Sequence, residues 1–174
     1  MIPLFFGLTA ANLLMLTLVF ALGLVAVGPE AEPTQWYGVH IALAIAAGLL
    51  AAFVHVAIYT YFMATSKWLR AAADKCGLDL EQFVRPALDR KRRVFPIAIG
   101  AVVLTMITMF AGAGADSTFV PLWPSEVHLA LAAITLPAHG LAAIFEYRMI
   151  TAQGQLMDDV LARVNPETPQ PATS

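Results

Sequence analysis

The chain of 174 residues has a single cysteine, Cys76, so an internal disulfide is ruled out. That thiol stands alone in the longest polar stretch and reads as reduced and unpaired. Familiar catalytic signatures are missing as well. There is no CxxC, no HExxH, no phosphate-binding Gly-Lys loop and no Ser/His/Asp arrangement, so neither hydrolytic nor nucleotide-driven chemistry is indicated. Charge is scarce. Asp, Glu, Lys and Arg together make up 13% of the chain, where a soluble domain has about a quarter. From Trp36 to Thr65 there is no charged residue at all. Hydrophobic residues account for 59%, and this balance implies a lipid bilayer as the partner. Nothing points to nucleic acid.

What is present is a set of long apolar runs. Four are long enough to span a bilayer as helices, over residues 3–27, 36–65, 95–113 and 127–150. The first lacks the basic n-region and short apolar core of a secretory signal and is expected to be retained. Asn12, with Thr9 and Thr17 near it, is the only strongly polar residue inside it and is expected to hydrogen-bond to a neighbouring helix. The acidic turn Gly28-Pro29-Glu30-Ala31-Glu32-Pro33 ends this helix. Trp36 and Tyr37 open the second span, and Tyr59, Tyr61 and Trp68 form an aromatic belt at its other end.

Between Ser66 and Val94 lie Lys67, Arg70, Lys75, Arg85, Arg90, Lys91, Arg92 and Arg93, eight of the ten basic residues. The positive-inside rule assigns this basic loop, residues 66–94, to the cytoplasm, and with four spans both termini join it there. A break at Cys76-Gly77 and a short helix from about Asp79 are expected within the loop. The opposite loops carry only acids, Glu30 and Glu32 in one, Asp116 and Glu126 in the other. Pro96 is expected in the first turn of the third span, and Pro137 is expected to kink the fourth. Glu146 and Arg148 are expected to return the fourth span to the cytoplasmic surface. Residues 151–174 then form an amphipathic helix, with Leu156, Met157, Val160, Leu161 and Val164 at helical spacing, followed by the flexible tail PETPQPATS. The fold class is all-α, an integral membrane four-helix bundle, in a bacterial inner (cytoplasmic) membrane.

All four histidines fall in the second and fourth spans. Those spans run in the same direction, so the interfacial tryptophans serve as depth markers. His40 lies about 6 Å beyond Trp36 and His128 about 7.5 Å beyond Trp123, at 1.5 Å per residue. His55 lies about 28 Å beyond Trp36 and His139 about 24 Å beyond Trp123. Helix tilt and the Pro137 kink absorb the difference. The four histidines therefore make two level pairs, His40 with His128 and His55 with His139. An imidazole in a bilayer is costly and tends to be functional. A pair from facing helices suits six-coordinate haem iron, bound from both sides with no open position for oxygen chemistry. Small residues line the same helices, Ala44, Ala46, Ala47, Gly48, Ala51 and Ala52 on one and Ala130, Ala132, Ala133, Ala138 and Gly140 on the other. Such residues accommodate a flat macrocycle, and equally a helix interface. Met106 and Met109, in the third span, are read as packing residues.

In this histidine pattern the chain resembles the di-haem membrane b-type cytochromes with four-helix cores. The resemblance covers the second and fourth spans, and the spacings of fifteen and eleven residues depart from the near-equal spacings of the best-known members. It implies two haem b groups with His40, His128, His55 and His139 as axial ligands. The implied function is an electron-transfer subunit carrying electrons across the bilayer, exchanging them with quinone or a partner redox subunit. Tyr59, Tyr61, Lys67 and Arg70 are the residues to inspect for a quinone pocket. The competing reading is a haem-free accessory subunit of a larger respiratory or photosynthetic membrane complex, associating with other subunits or with copies of itself. Ion-coupled transport is disfavoured because the apolar spans are expected to contain no acidic or basic side chain.

Overall fold

Four helices long and apolar enough to cross a membrane form the frame of the computed structural model, which describes residues 2–28, 32–116, 118 and 120–165. Helix α1 is Ile2–Ala26, α2 is Tyr37–Cys76, α3 is the single turn Leu80–Phe83, α4 is Arg85–Gly114 and α5 is Ser125–Val164. Glu30 of the acidic turn and the tail 166–174 lie outside the described residues. The long helices pack in the ring order α1, α2, α4, α5 and back to α1, and α2 and α5 also touch across the centre. The two histidine-bearing helices are thus a close diagonal of the bundle.

The helices are longer than their apolar runs. Residues 66–94 are not a loop: α2 continues to Cys76, and α4 begins at Arg85. Leaving an apolar environment ends a hydrophobic run but not a helix, and the Lys, Arg, Ala and Leu of this stretch are all good helix formers. At 40 residues, α2 is about 60 Å long, twice the thickness of a bilayer's hydrocarbon core. It stops where Gly77 adopts φ 64°. The Leu78 N–H then donates to the Ala73 carbonyl at 3.0 Å, a Schellman closure that needs the left-handed residue between them. Asp79 caps α3 by accepting from the Glu81 N–H at 2.8 Å. Pro86 sits in the first turn of α4, where its missing N–H removes no helical bond. Pro96 lies inside α4 rather than at its start, because the helix begins at Arg85. Likewise α5 runs unbroken through residue 150 to Val164, so the amphipathic segment is the end of the fourth long helix. At this basic end Leu69, Phe83, Ala87, Leu156 and Val160 form a small apolar core.

A larger apolar layer, Phe5, Val54, Ile58, Phe62, Val94, Ala98 and Ile150, lies above it. Nearer the acidic end the interior turns polar, with Asn12, His55, Thr105, Thr135, His139 and Glu146 all buried. The outside is the reverse: Leu14, Leu49 and Leu141 are 71%, 70% and 69% exposed. At the acidic end Thr34 donates its hydroxyl toward the Val25 and Ala26 carbonyls, satisfying acceptors that the end of α1 leaves open. The Tyr37 hydroxyl donates to Asp116, tying the start of α2 to the segment that follows α4.

Candidate functional site: two histidine pairs and a buried glutamate

The structure brings the four histidines together as two pairs, built in different ways. In the pair near the acidic end the ring centroids of His40 and His128 are 6.3 Å apart, with the rings at 70°. His40 Nδ1 lies 3.1 Å from the Val19 carbonyl oxygen of α1. His128 Nδ1 lies 3.0 Å from the Thr108 carbonyl oxygen of α4. A carbonyl only accepts, so Nδ1 carries the proton in both rings and each Nε2 keeps its lone pair. This is the arrangement that prepares a histidine for a metal, with one nitrogen anchored and the other basic.

Glycine makes both anchors possible. A Cβ on Gly23, one turn beyond Val19, would lie 3.0 Å from His40 Cε1, and one on Gly112, one turn beyond Thr108, would lie 3.0 Å from His128 Cε1. The same device, a carbonyl and a glycine four residues on, therefore holds each histidine, once in the α1–α2 hairpin and once in α4–α5.

The second pair is closed. The His55 and His139 rings have centroids 5.1 Å apart, and His55 Nε2 is 3.2 Å from His139 Nδ1. They are 3% and 1% exposed, and Glu146 beside them is 1% exposed. The Asn12 amide N–H lies 3.2 Å from His139 Nδ1, which accepts it, and the Thr105 hydroxyl, 2.8 Å from His139 Nε2, then accepts from that ring while its own proton goes to the Ala101 carbonyl at 2.9 Å. His139 therefore carries its proton on Nε2, and its Nδ1 also accepts from His55 Nε2–H. His55 Nδ1 then faces Glu146 Oε1 at 2.8 Å, with one proton between them.

Glu146 corrects two expectations. It does not mark a return to the surface, and the apolar part of the bundle does hold an acid. Its sequence signal is the spacing: His139, Glu146 and Gln153 recur every seven residues, which puts them on one stripe of α5. That stripe faces inward. Gln153 donates to Thr65 Oγ1 at 3.0 Å and accepts from Arg90 at 3.3 Å, on the far side of the apolar layer. Asn12 does reach a neighbouring helix, as expected from its position in α1.

Other expected participants fall elsewhere. Met109 lies over Gly48, where a Cβ would collide with its Sδ, and Met106 is on the exterior. Tyr59 packs on Phe95 and Tyr61 points to Met157, while Lys67 and Arg70 are exposed, so these four do not converge on a pocket. Ala47 and Ala51 of the small-residue stretch are buried, whereas Ala46, Ala130 and Ala133 face outward. Among the described residues no group of three His, Cys, Asp or Glu side chains is placed to hold a metal ion.

The two pairs differ in fitness for haem. An iron bound by one nitrogen of each ring at about 2 Å, the usual metal–imidazole distance, puts the two ring centroids about 6 Å apart. The His40–His128 pair meets that separation, and its donor set is right. The His55–His139 pair does not fit: its rings are bonded to each other, and both nitrogens of each ring already have partners. Comparison with protein-family models, with curated proteins and with solved structures finds no match.

Proposed function

We propose that the chain is a membrane-embedded b-type cytochrome subunit in which one haem is held between His40 and His128 near the acidic end. In this reading the bundle spans the bilayer, with its apolar exterior in lipid and its basic end, where most of the lysines and arginines cluster, on the cytoplasmic side together with both termini. The observation that carries the reading is the matched pair of Nδ1–carbonyl bonds, which leaves two Nε2 lone pairs on facing helices at a ring separation of 6.3 Å. Two imidazoles alone are too few ligands for a bare ion, so a metal here has to bring its remaining ligands with it, as haem does. Haem would supply one-electron transfer.

The residues of the chain do the rest. Val19 and Thr108 fix the imidazole tautomers, Gly23 and Gly112 admit the rings, and His40 and His128 would hold the haem iron between them, leaving no position for oxygen. Electrons would be exchanged with a quinone or a partner redox subunit at the acidic side. His55 and His139 are not ligands in this reading, which replaces the two-haem expectation with one haem.

The test is the visible spectrum of protein purified after haem-replete expression, oxidised and reduced, with haem quantified per chain. One haem is expected, lost in His40→Ala and in His128→Ala and retained in His139→Gln. A colourless protein, or a colour indifferent to His40 and His128, defeats the reading. Two haems per chain defeat the single-site version.

A further inference from the structure

The cluster of Asn12, His55, Thr105, His139 and Glu146 has no part in the haem reading, yet it contains the only buried carboxyl among the described residues and two buried imidazoles. We infer that it is an intramembrane proton-binding site, in which Glu146 is held as a neutral acid and exchanges its proton with the acidic end of the bundle through His55 and His139.

The hydrogen bonds of the cluster fix how many protons it holds. The fixed bonds of Thr105 and His139 leave one proton for the 2.8 Å contact of Glu146 with His55. Resting on Glu146, it makes every member of the cluster neutral. Resting on His55, it creates a carboxylate and an imidazolium in a buried, low-dielectric interior, where separated charge is costly. The neutral arrangement is therefore the ground state.

Transfer along the chain balances without any co-reactant. Glu146 O–H gives its proton to His55 Nδ1 while His55 Nε2–H passes to His139 Nδ1. The products are a Glu146 carboxylate, a neutral His55 protonated on Nδ1, and a His139 imidazolium whose Nε2–H still donates to Thr105. Asn12 accommodates both states. Its amide N–H donates to His139 Nδ1 at 3.2 Å, while its Oδ1 is buried without a hydrogen-bond partner. Turning the amide presents that oxygen to the newly protonated nitrogen.

The direction follows from packing. Below Glu146 the layer of Ile58, Phe62, Val94 and Ile150 separates the cluster from Gln153, Thr65 and Arg90. Above it, one helical turn from Thr105 and from His139, Thr108 and Thr135 are hydrogen-bonded to each other at 2.7 Å, and the Thr108 carbonyl anchors His128. Among the described residues no other titratable group faces the cluster. α1 contributes Asn12, α4 contributes Thr105, and the neighbouring tyrosines pack elsewhere, Tyr59 on Phe95 and Tyr147 on Phe5 and Phe6.

Infrared difference spectroscopy of the full-length protein in lipid vesicles tests this without reference to haem. A protonated-carboxyl C=O band is expected at neutral pH in the parent, absent in Glu146→Gln and shifted in deuterium oxide. The rate of that shift reads the relay. His139→Gln, which can still accept from His55 and donate to Thr105 but cannot carry a proton onward, is expected to slow exchange tenfold or more. Asn12→Ala is expected to slow it as well, so that either folded variant decides. Absence of a band assigned to Glu146, or exchange equally fast in the parent and the folded variant, overturns the inference. Neither result bears on whether His40 and His128 hold haem, which the visible spectrum of the same samples reports separately.

Discussion

Replacing His139 by leucine should cost far more stability than replacing His128, even though both are histidines of α5. His139→Leu removes the acceptor for His55 Nε2–H and for the Asn12 amide, and the donor to Thr105 Oγ1. Buried hydrogen bonds within membrane bundles average about 0.6 kcal/mol and reach about 1.7 kcal/mol, because the unfolded chain in lipid also finds partners. Three such bonds at a site that is 1% exposed therefore amount to about 2–5 kcal/mol. With the bundle in lipid, as proposed, the leucine adds little back, since its apolar surface is as well accommodated there as in the core.

His128→Leu removes one bond, to a Thr108 carbonyl that keeps its own helical partner, at a half-buried site. The expected cost is about 0.6 kcal/mol. The gap between the variants, about 2 kcal/mol, is more than tenfold in the folding equilibrium. Reversible unfolding of haem-free protein in mixed detergent and SDS, followed by circular dichroism, measures it. Equal costs, or a greater cost for His128→Leu, would refute the assignment of a structural hydrogen-bond role to the inner histidine and a ligand role to the outer one.

The glycines that admit the outer rings should be sensitive sites. Gly23→Ala and Gly112→Ala each set a methyl 3.0 Å from an imidazole carbon and should shift or weaken the reduced haem band, while Gly100→Ala, with open space around it, should leave the spectrum unchanged. At the acidic end, Asp116 accepts from the Thr118 hydroxyl, the Tyr37 hydroxyl and the Thr118 N–H, and these bonds, in that order of weight, hold its carboxyl below the usual carboxylate range. A folded-state value below the unfolded one means the stabilisation is complete above the unfolded value, about 3.9, and disappears as pH falls through the folded one. Thermal midpoints between about pH 6 and pH 3 should therefore fall more steeply for the parent than for Asp116→Asn. Finally, Gly77→Ala forces a Cβ into the left-handed region at φ 64° and should cost about 1 kcal/mol in the same detergent titration, with Gly77→Asn milder.

Much of this architecture follows from one-dimensional facts. The number of long apolar helices, the end at which the basic residues gather, and the level pairing of His40 with His128 and of His55 with His139 can all be read from run lengths and the fixed rise of a helix, because none of these depends on which way a side chain points. Helix extents were less legible. The charges that end an apolar run are also good helix formers, so α2 passes through Lys67 and Arg70 to Gly77, the first residue whose backbone requirement stops it.

The chemistry of the two pairs was decided by tertiary structure alone. Depth pairs the histidines, but only packing shows that the outer rings bond to backbone carbonyls and leave Nε2 exposed, whereas the inner rings bond to each other. Glu146 belongs to the same class of fact. Its position near the end of an apolar run and beside Arg148 suggests a surface residue, while its place seven residues beyond His139 puts it on the inward stripe. A buried His55 supplies the hydrogen bond that makes this burial tolerable, and that partner, 91 residues away in the chain, is brought to it only by the diagonal contact of α2 and α5.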